Sequence, residues 1–203
     1  MALVAASIFL TGLTSIGRAD NTGVDGAGPA DDSISIQRIQ PEGIDGHGYR
    51  LSYRVNAPFG IFWKFKTDFS STVLTENKFI LAHRFVAKDK DVVITENKYS
   101  YGPDVFFKWQ TTIVAPEHRL DFILLNPTQC QQAYHYGTIQ LEPDGQGTRV
   151  TQIAYFDFFG AAFWSIYPWE GGMKDFLTYT AKWEQAIALR LRDEYDVENI
   201  PGE

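Results

Sequence analysis

The sequence predicts one α+β domain, in which a seven-stranded curved antiparallel sheet wraps around a long C-terminal helix and two short helices follow the first strand. Three observations support this prediction. Short segments of alternating apolar and polar residues recur between residues 49 and 158, turn residues separate them, and the last apolar segment has the period of a helix. A long helix that follows a meander of strands has a sheet to pack against, and a curled sheet encloses a cavity with it.

The first predicted strand covers residues 49–55, where every second residue is apolar. Pro58 follows it, and proline is tolerated in the first turn of a helix because its missing N–H would have no partner there. Residues 59–65 therefore predict a short helix, and a second brief helical turn precedes the next strand. The chain then becomes rich in strands.

Six further strands are predicted from the same alternation, each bounded by polar turns. They cover residues 79–85, 92–101, 105–113, 120–124, 132–142 and 148–158. The last two flank Asp144-Gly145, a dipeptide that favours tight hairpin turns. Strands linked in this way form an antiparallel meander.

The last element is predicted to be an amphipathic helix over residues 173–192. Its apolar residues recur every three or four positions, which leaves polar residues on the other side. A helix of this length extends about 30 Å, so it can span the whole sheet.

The N-terminus resembles a targeting segment. Residues 1–19 combine an apolar run with small residues around Arg18, which predicts a cleaved signal peptide and export to the periplasm or the outside of the cell. An uncleaved membrane anchor is the alternative, since no basic residue precedes the apolar run. Residues 20–45 predict a flexible linker because they contain few large apolar residues. Residues 46–195 form the predicted domain, and residues 196–203 a tail.

Composition narrows the classes of function. The chain of 203 residues is 44% hydrophobic and 15% aromatic, which permits a substantial core and aromatic walls for a pocket. A net charge of −7, with no basic stripe, argues against nucleic-acid binding. The single cysteine, Cys130, excludes an internal disulfide framework, and the histidine spacing does not indicate a metal site. No nucleotide or nucleophile motif is present, so no cofactor is predicted.

The order of elements resembles the helix-grip fold of the START-like superfamily, also called Bet v 1-like, polyketide cyclase/dehydrase-like or SRPBCC-type. The resemblance covers residues 48–192. It is carried by residues 49–58 with the following Phe62-Trp63, the hairpin at 143–151 and the helix at 176–191. It implies a cavity between sheet and helix for a lipid, sterol, quinone or polyketide-like molecule, bound or transported without catalysis.

Aromatic residues are the predicted lining of this cavity, because they pack against apolar ligands and their polar atoms can orient one end of such a ligand. The candidates are Trp63, Phe85, Tyr99, Phe107, Trp109, Tyr134, Tyr136, Phe156, Trp164, Tyr179 and Trp183.

An enzyme of the cyclase, aromatase or dehydratase kind is a second hypothesis. It requires a buried histidine or carboxylate that moves protons, and the candidates are His83, His135, Glu96 and Asp157. Export argues against this hypothesis, because polyketide assembly is normally cytosolic.

A membrane-tethered interaction domain is a third hypothesis. It combines an uncleaved N-terminus with a transient membrane contact through the apolar residues 158–169, which are rich in the aromatic side chains that favour interfaces. The sequence defines neither the ligand nor the oligomeric state.

Overall fold

A computed structural model describes residues 33–40, 42–43, 46–100, 103–158 and 172–195. Within these ranges, eight strands form one antiparallel sheet, which confirms the predicted α+β architecture. The strands are β1 (Ser35–Ile39), β2 (His47–Val55), β3 (Ile80–Asp89), β4 (Val92–Tyr99), β5 (Phe107–Val114), β6 (Arg119–Leu124), β7 (Gln132–Asp144) and β8 (Gly147–Phe158).

The strands lie in the order β1-β2-β8-β7-β6-β5-β4-β3. Strands β3 to β8 are neighbours both in sequence and in space, as expected for a meander. Strand β2 instead pairs with β8, which places Tyr49 opposite Ala154. In the β7–β8 hairpin, Asp144 lies opposite Gly147, and Gly145 has a φ of 59°. Glycine adopts this left-handed conformation without a steric penalty, and the predicted hairpin is confirmed.

Two short helices lie between β2 and β3. Helix α1 (Phe59–Thr67) begins directly after Pro58, whose carbonyl accepts a hydrogen bond from the Phe62 N–H at 3.0 Å. A 3₁₀ helix, η1 (Thr72–Glu76), follows after a short connection. The hydroxyl of Ser71 caps η1 by accepting a hydrogen bond from the backbone of its first turn.

The long helix, α2 (Gly172–Tyr195), packs one side against the sheet. Its fully buried residues include Leu177 and Leu191 as well as two alanines, Ala181 and Ala188. Small side chains at these two positions allow the helix backbone to lie close to the sheet. Burial of each leucine stabilises the fold by about 1.5–3 kcal/mol. No helix in the described ranges combines the length and the apolar composition that crossing a bilayer requires.

The structure contains one strand more than the seven predicted. The additional strand, β1, lies within residues 20–45, which were predicted to be a linker. It pairs with β2 along its whole length, with Ile36 opposite Leu51. Most of its side chains are exposed, so backbone hydrogen bonds to β2 hold it in place. Composition cannot reveal such a strand, because few of its side chains contribute to the core.

Strand β3, at the other end of the order, is irregular. Its pairing with β4 breaks between Ile80 and Ala82 and again between Phe85 and Ala87. Such β-bulges bend the strand and change the direction of its side chains.

Candidate ligand-binding site

A cavity of about 240 Å³ lies between the inner face of the sheet, the segment from α1 to η1, and the N-terminal half of α2. All three contribute apolar side chains to its wall. These are Phe65, Phe69, Leu74, Leu120, Phe122, Ile139, Phe176 and Leu177. A concave site with mainly apolar walls and a few polar groups is typical of small-molecule binding.

His135 enters the cavity from β7 and is enclosed by aromatic rings. The centroid of its ring lies 4.9 Å from that of Trp109 and 5.4 Å from that of Phe156. Its Nδ1 atom lies 3.0 Å from Oε1 of Gln132. Burial lowers the pKa of His135 to about 3, because the charged imidazolium loses its hydration. The ring is therefore neutral at neutral pH.

His83 connects the segment after α1 to the sheet through hydrogen bonds. Its Nε2 lies 2.8 Å from the carbonyl oxygen of Phe69, and its Nδ1 lies 2.7 Å from Oδ1 of Asn97. A carbonyl oxygen can only accept, so Nε2 donates to Phe69. Both ring nitrogens of His83 thus have protein partners, although the side chain lines the cavity.

Several hydroxyl and amide groups face the cavity from β4 and β5. The Tyr99 hydroxyl accepts a hydrogen bond of 3.3 Å from the Asn97 amide. Burial raises the pKa of Tyr99, so this hydroxyl is neutral. Thr95 and Thr111 are buried on the same inner face and also line the cavity. Neutral groups of this kind can orient a polar part of a ligand without the energetic cost of burying a charge.

An ion pair lies at the wall formed by the two helices. The Nζ atom of Lys66, which lines the cavity, is 2.8 Å from Oε1 of Glu184. The Tyr53 hydroxyl donates a hydrogen bond to the other oxygen of the same carboxylate. Burial, together with the negative charge of Glu184, raises the pKa of Tyr53 well above its ordinary value. Glu184 thus connects α2 to both α1 and β2.

The described part of the chain offers neither a group of metal ligands nor a reactive thiol. No group of three histidine, cysteine or acidic side chains there is arranged to hold a metal ion. Cys130 is buried, and this burial raises the pKa of its thiol to about 11. The thiol is therefore protonated at neutral pH, and a protonated thiol is a poor nucleophile.

Comparison with known proteins finds similarity at the level of structure. No family model matches the sequence, and no curated protein matches it. The STAR-related lipid transfer protein from Xanthomonas axonopodis is 15% identical, with a TM-score of 0.58 over 82% of this chain and 97% of that chain. The Zhui aromatase/cyclase from Streptomyces sp. R1128 is 10% identical, with a TM-score of 0.57 over 78% and 96%. Ara h 8.0201 is 12% identical, with a TM-score of 0.53 over 73% and 99%.

These three solved structures share one fold. The present chain has the START-like, or Bet v 1-like, fold. The resemblance predicted from the sequence is confirmed at this level. Identities of 10–15% establish the fold alone, so the ligand has to be argued from the cavity.

Four of the predicted site residues line the cavity of this START-like fold. They are the aromatic residues Tyr99 and Trp109 and the histidines His83 and His135. All four lie on the inner face of β3, β4, β5 or β7, where the alternation of each strand directs them toward α2.

Three predicted aromatic residues are buried but lie behind the cavity wall. The ring of Phe107 packs against Tyr99 at a centroid distance of 5.1 Å, and Phe156 packs against Tyr49 at 6.0 Å. Trp183 packs against the Phe65 ring at 6.3 Å. These side chains fill the core and support residues that do line the cavity.

Two predicted residues are half-buried on the helices and do not line the cavity. Trp63 packs against Phe59 and His118 and is half-buried against the core. Tyr179 packs against Phe79 at a centroid distance of 5.1 Å, and the Lys78 ammonium lies 4.1 Å above its ring. Trp164, a further candidate, lies outside the described residues.

Three predicted residues lie at the surface of the sheet. Phe85 is 47% exposed on the irregular strand β3. Tyr134 and Tyr136 lie on the outer face because they flank His135, and adjacent residues of a strand point to opposite faces. Tyr136 lines a separate depression of about 310 Å³ on this outer face, together with Gln110 and Tyr155.

The two predicted carboxylates lie on the outer face as well. Glu96 lies opposite Arg84 in the β3–β4 pairing, with 4.0 Å between their charged groups. Asp157 lies opposite Tyr134 in the β7–β8 pairing. The sheet separates both carboxylates from the cavity, so neither reaches a ligand held there.

The sequence prediction missed most polar lining residues. These are Tyr49, Lys66, Asp68, Thr95, Asn97, Thr111, Gln152 and Thr180. The sequence does carry a signal for three of them, because the alternation of each strand places Thr95, Thr111 and Gln152 on its buried face. Polar residues at such positions indicate either a cavity or a hydrogen-bond network. The contribution of α1 requires the tertiary structure.

Proposed function

We propose that this protein binds and carries a small apolar molecule in the cavity between the sheet and α2, without covalent chemistry. The supporting observation is the cavity of about 240 Å³, whose wall is mostly aromatic and aliphatic. Two of the solved structures with this fold bear names that refer to lipid transfer and to aromatase/cyclase activity. These names are consistent with an apolar or aromatic ligand.

The size of the cavity restricts the ligand. Pockets for drug-sized molecules have volumes of about 300–1,000 Å³, so a cavity of about 240 Å³ suits a smaller molecule. A molecule with one or two rings, or a short acyl chain, fits this volume. A sterol or a diacyl lipid would require the walls to move apart.

A cyclase- or dehydratase-like enzyme is the second candidate, favoured by the observation that His83 and His135 both line the cavity. Efficient general bases have a pKa near the working pH. The pKa of about 3 makes His135 a weak base, and both nitrogens of His83 are engaged by the protein. These features support binding over catalysis.

We also propose that the protein acts after export, on the basis of the apolar residues 2–16 and the small residues that follow them. N-terminal sequencing of the protein purified from its own source tests this proposal. A mature chain that begins near Asp20 agrees with export, whereas an intact N-terminus in the membrane fraction agrees with the tethered alternative.

Native mass spectrometry of the full chain, purified gently from its source, tests the binding function. We expect a reproducible mass excess that disappears on denaturation. A matched pair of variants locates the ligand: Ile139→Phe adds volume to the cavity wall, and Ile153→Phe adds it to the outer face. Only Ile139→Phe should lose the mass excess. A bare mass, with no thermal stabilisation by a panel of small apolar molecules, would refute the proposal.

A further inference from the structure

We infer that the molecule held in this cavity carries a hydroxyl group, which donates a hydrogen bond to Nε2 of His135. This inference rests on the proposed function, and it names the chemistry of the ligand at one position. Three features of the inner face point to this hydroxyl: the fixed ring of His135, its Nε2 atom, which has no partner among the described residues, and the threonines of β4 and β5.

The ring of His135 is held in one orientation. Trp109 and Phe122 contact it edge-on, with centroid distances of 4.9 and 6.2 Å, and Phe156 lies 5.4 Å away at an inclined angle. On the remaining side, Nδ1 is 3.0 Å from Oε1 of the buried Gln132. Rotation of the imidazole would break this hydrogen bond and disturb three aromatic contacts.

The second ring nitrogen is available to a ligand. A neutral imidazole has one N–H donor and one acceptor nitrogen. Because Nδ1 donates to the side-chain amide oxygen of Gln132, Nε2 presents a lone pair. The described residues provide no hydrogen-bond partner for Nε2, and the side chain lines the cavity. Burial keeps the ring neutral, so the lone pair is not lost to protonation at neutral pH.

Thr95 and Thr111 supply hydrogen-bond donors to complement the acceptor of His135. Thr95 lies directly opposite Trp109 in the β4–β5 pairing, and Thr111 is the next inward residue after Trp109 on β5. Both line the cavity, and neither hydroxyl forms a hydrogen bond with another of the described residues. A threonine hydroxyl can donate as well as accept.

This set of groups matches a hydroxyl better than the alternatives. A ligand hydroxyl can donate a hydrogen bond to Nε2 of His135 and still accept one from a donor within its reach, which is the chemistry that a threonine hydroxyl offers. A ketone cannot donate to Nε2, and a methyl group can use neither partner. A ligand without a hydroxyl would displace water from Nε2 and leave its lone pair without a hydrogen bond, which is unfavourable.

A pair of probes of nearly equal shape tests the inference on the full chain: 2-naphthol and 2-methylnaphthalene, which differ by a hydroxyl in place of a methyl group. Dissociation constants are measured for the wild type and three variants. His135→Phe keeps an aromatic ring but removes the acceptor, and Thr111→Val removes the hydroxyl at constant shape. Thr112→Val is the control, since Thr112 lies on the outer face.

We expect the wild type to prefer 2-naphthol about three- to tenfold after correction for transfer from water, the worth of one neutral hydrogen bond. His135→Phe should abolish this preference, Thr111→Val should reduce it, and Thr112→Val should leave it unchanged. Equal binding of both probes by the wild type, or a preference that survives His135→Phe, would overturn the inference while leaving the binding function intact. If neither probe binds the wild type or any of the three variants, the proposed function itself is refuted.

Discussion

The ammonium group of Lys66 lies 2.8 Å from the carboxylate of Glu184, and this contact joins α1 to α2 beside the cavity. The carboxylate is almost completely buried, since Glu184 is only 3% exposed. Its second oxygen accepts the hydrogen bond of Tyr53. The two helices that enclose the cavity are therefore held together by a polar contact as well as by apolar packing.

Replacing Glu184 with Gln should lower the free energy of unfolding by about 3 kcal/mol, because it leaves the Lys66 ammonium without a partner near the core. The double variant Lys66→Met/Glu184→Leu should recover much of this loss, since it removes both charges and keeps apolar volume. Urea unfolding of the three proteins measures the difference. A double variant that is no more stable than Glu184→Gln would contradict this explanation.

The protein should lose stability in acid through His135. The folded pKa of about 3 lies below the ordinary value of 6.5, so between these values the unfolded chain binds a proton that the folded chain does not. Stability from this group is therefore complete above pH 6.5 and is lost as the pH falls toward 3. The loss by pH 4 should be on the order of 3 kcal/mol. In His135→Phe, the curve of unfolding free energy against pH should be shallower; parallel curves would contradict the prediction.

Replacing His83 with Ala should loosen the segment between α1 and η1. The change leaves the Phe69 carbonyl and the Asn97 amide without their partner, at a cost of about 1–3 kcal/mol. Hydrogen exchange should accelerate for the backbone amides of residues 68–71. Arg84→Ala is the control, because Arg84 belongs to an exposed ion pair worth about 0.2–1 kcal/mol. Equal exchange rates of these amides in both variants would contradict the proposed role of the His83 hydrogen bonds.

Replacing Gly137 with Ala should destabilise the sheet by about 1–3 kcal/mol or more. The added Cβ would overlap the Ile153 carbonyl oxygen and would lie 2.8 Å from the Phe122 ring. The same substitution at Gly60, in α1, meets open space and should stabilise the protein by about 0.5–1 kcal/mol. Thermal or urea unfolding of both variants checks the opposite signs.

Sequence patterns predicted the sheet and α2 well because the buried residues there recur with the regular period of a strand or a helix. In β2, the four residues predicted to face the core are each at most 3% exposed, from Tyr49 to Val55. The prediction failed for β1, which gains its stability from pairing with β2. Backbone pairing of this kind leaves little trace in the amino-acid composition.

The lining of the candidate site was predicted less well, for a reason that lies in strand geometry. His135 and Tyr136 are adjacent in sequence, but one lines the cavity and the other lies on the outer face. A choice based on aromatic character alone therefore mixes the two faces. The polar lining residue Thr111 was missed by the same criterion, and Lys66 requires knowledge of how α1 packs.

The irregular pairing of β3 bears on self-association. Strand β3 ends the strand order, and Leu81, Phe85 and Val86 are 60%, 47% and 45% exposed on it. Exposed apolar side chains on an edge strand favour pairing with a strand of another copy, which is the first step toward aggregation. Two bulges interrupt the even spacing of N–H and C=O groups that such an added strand would need. We therefore expect the two bulges in β3 to disfavour the addition of a strand from another copy at this edge.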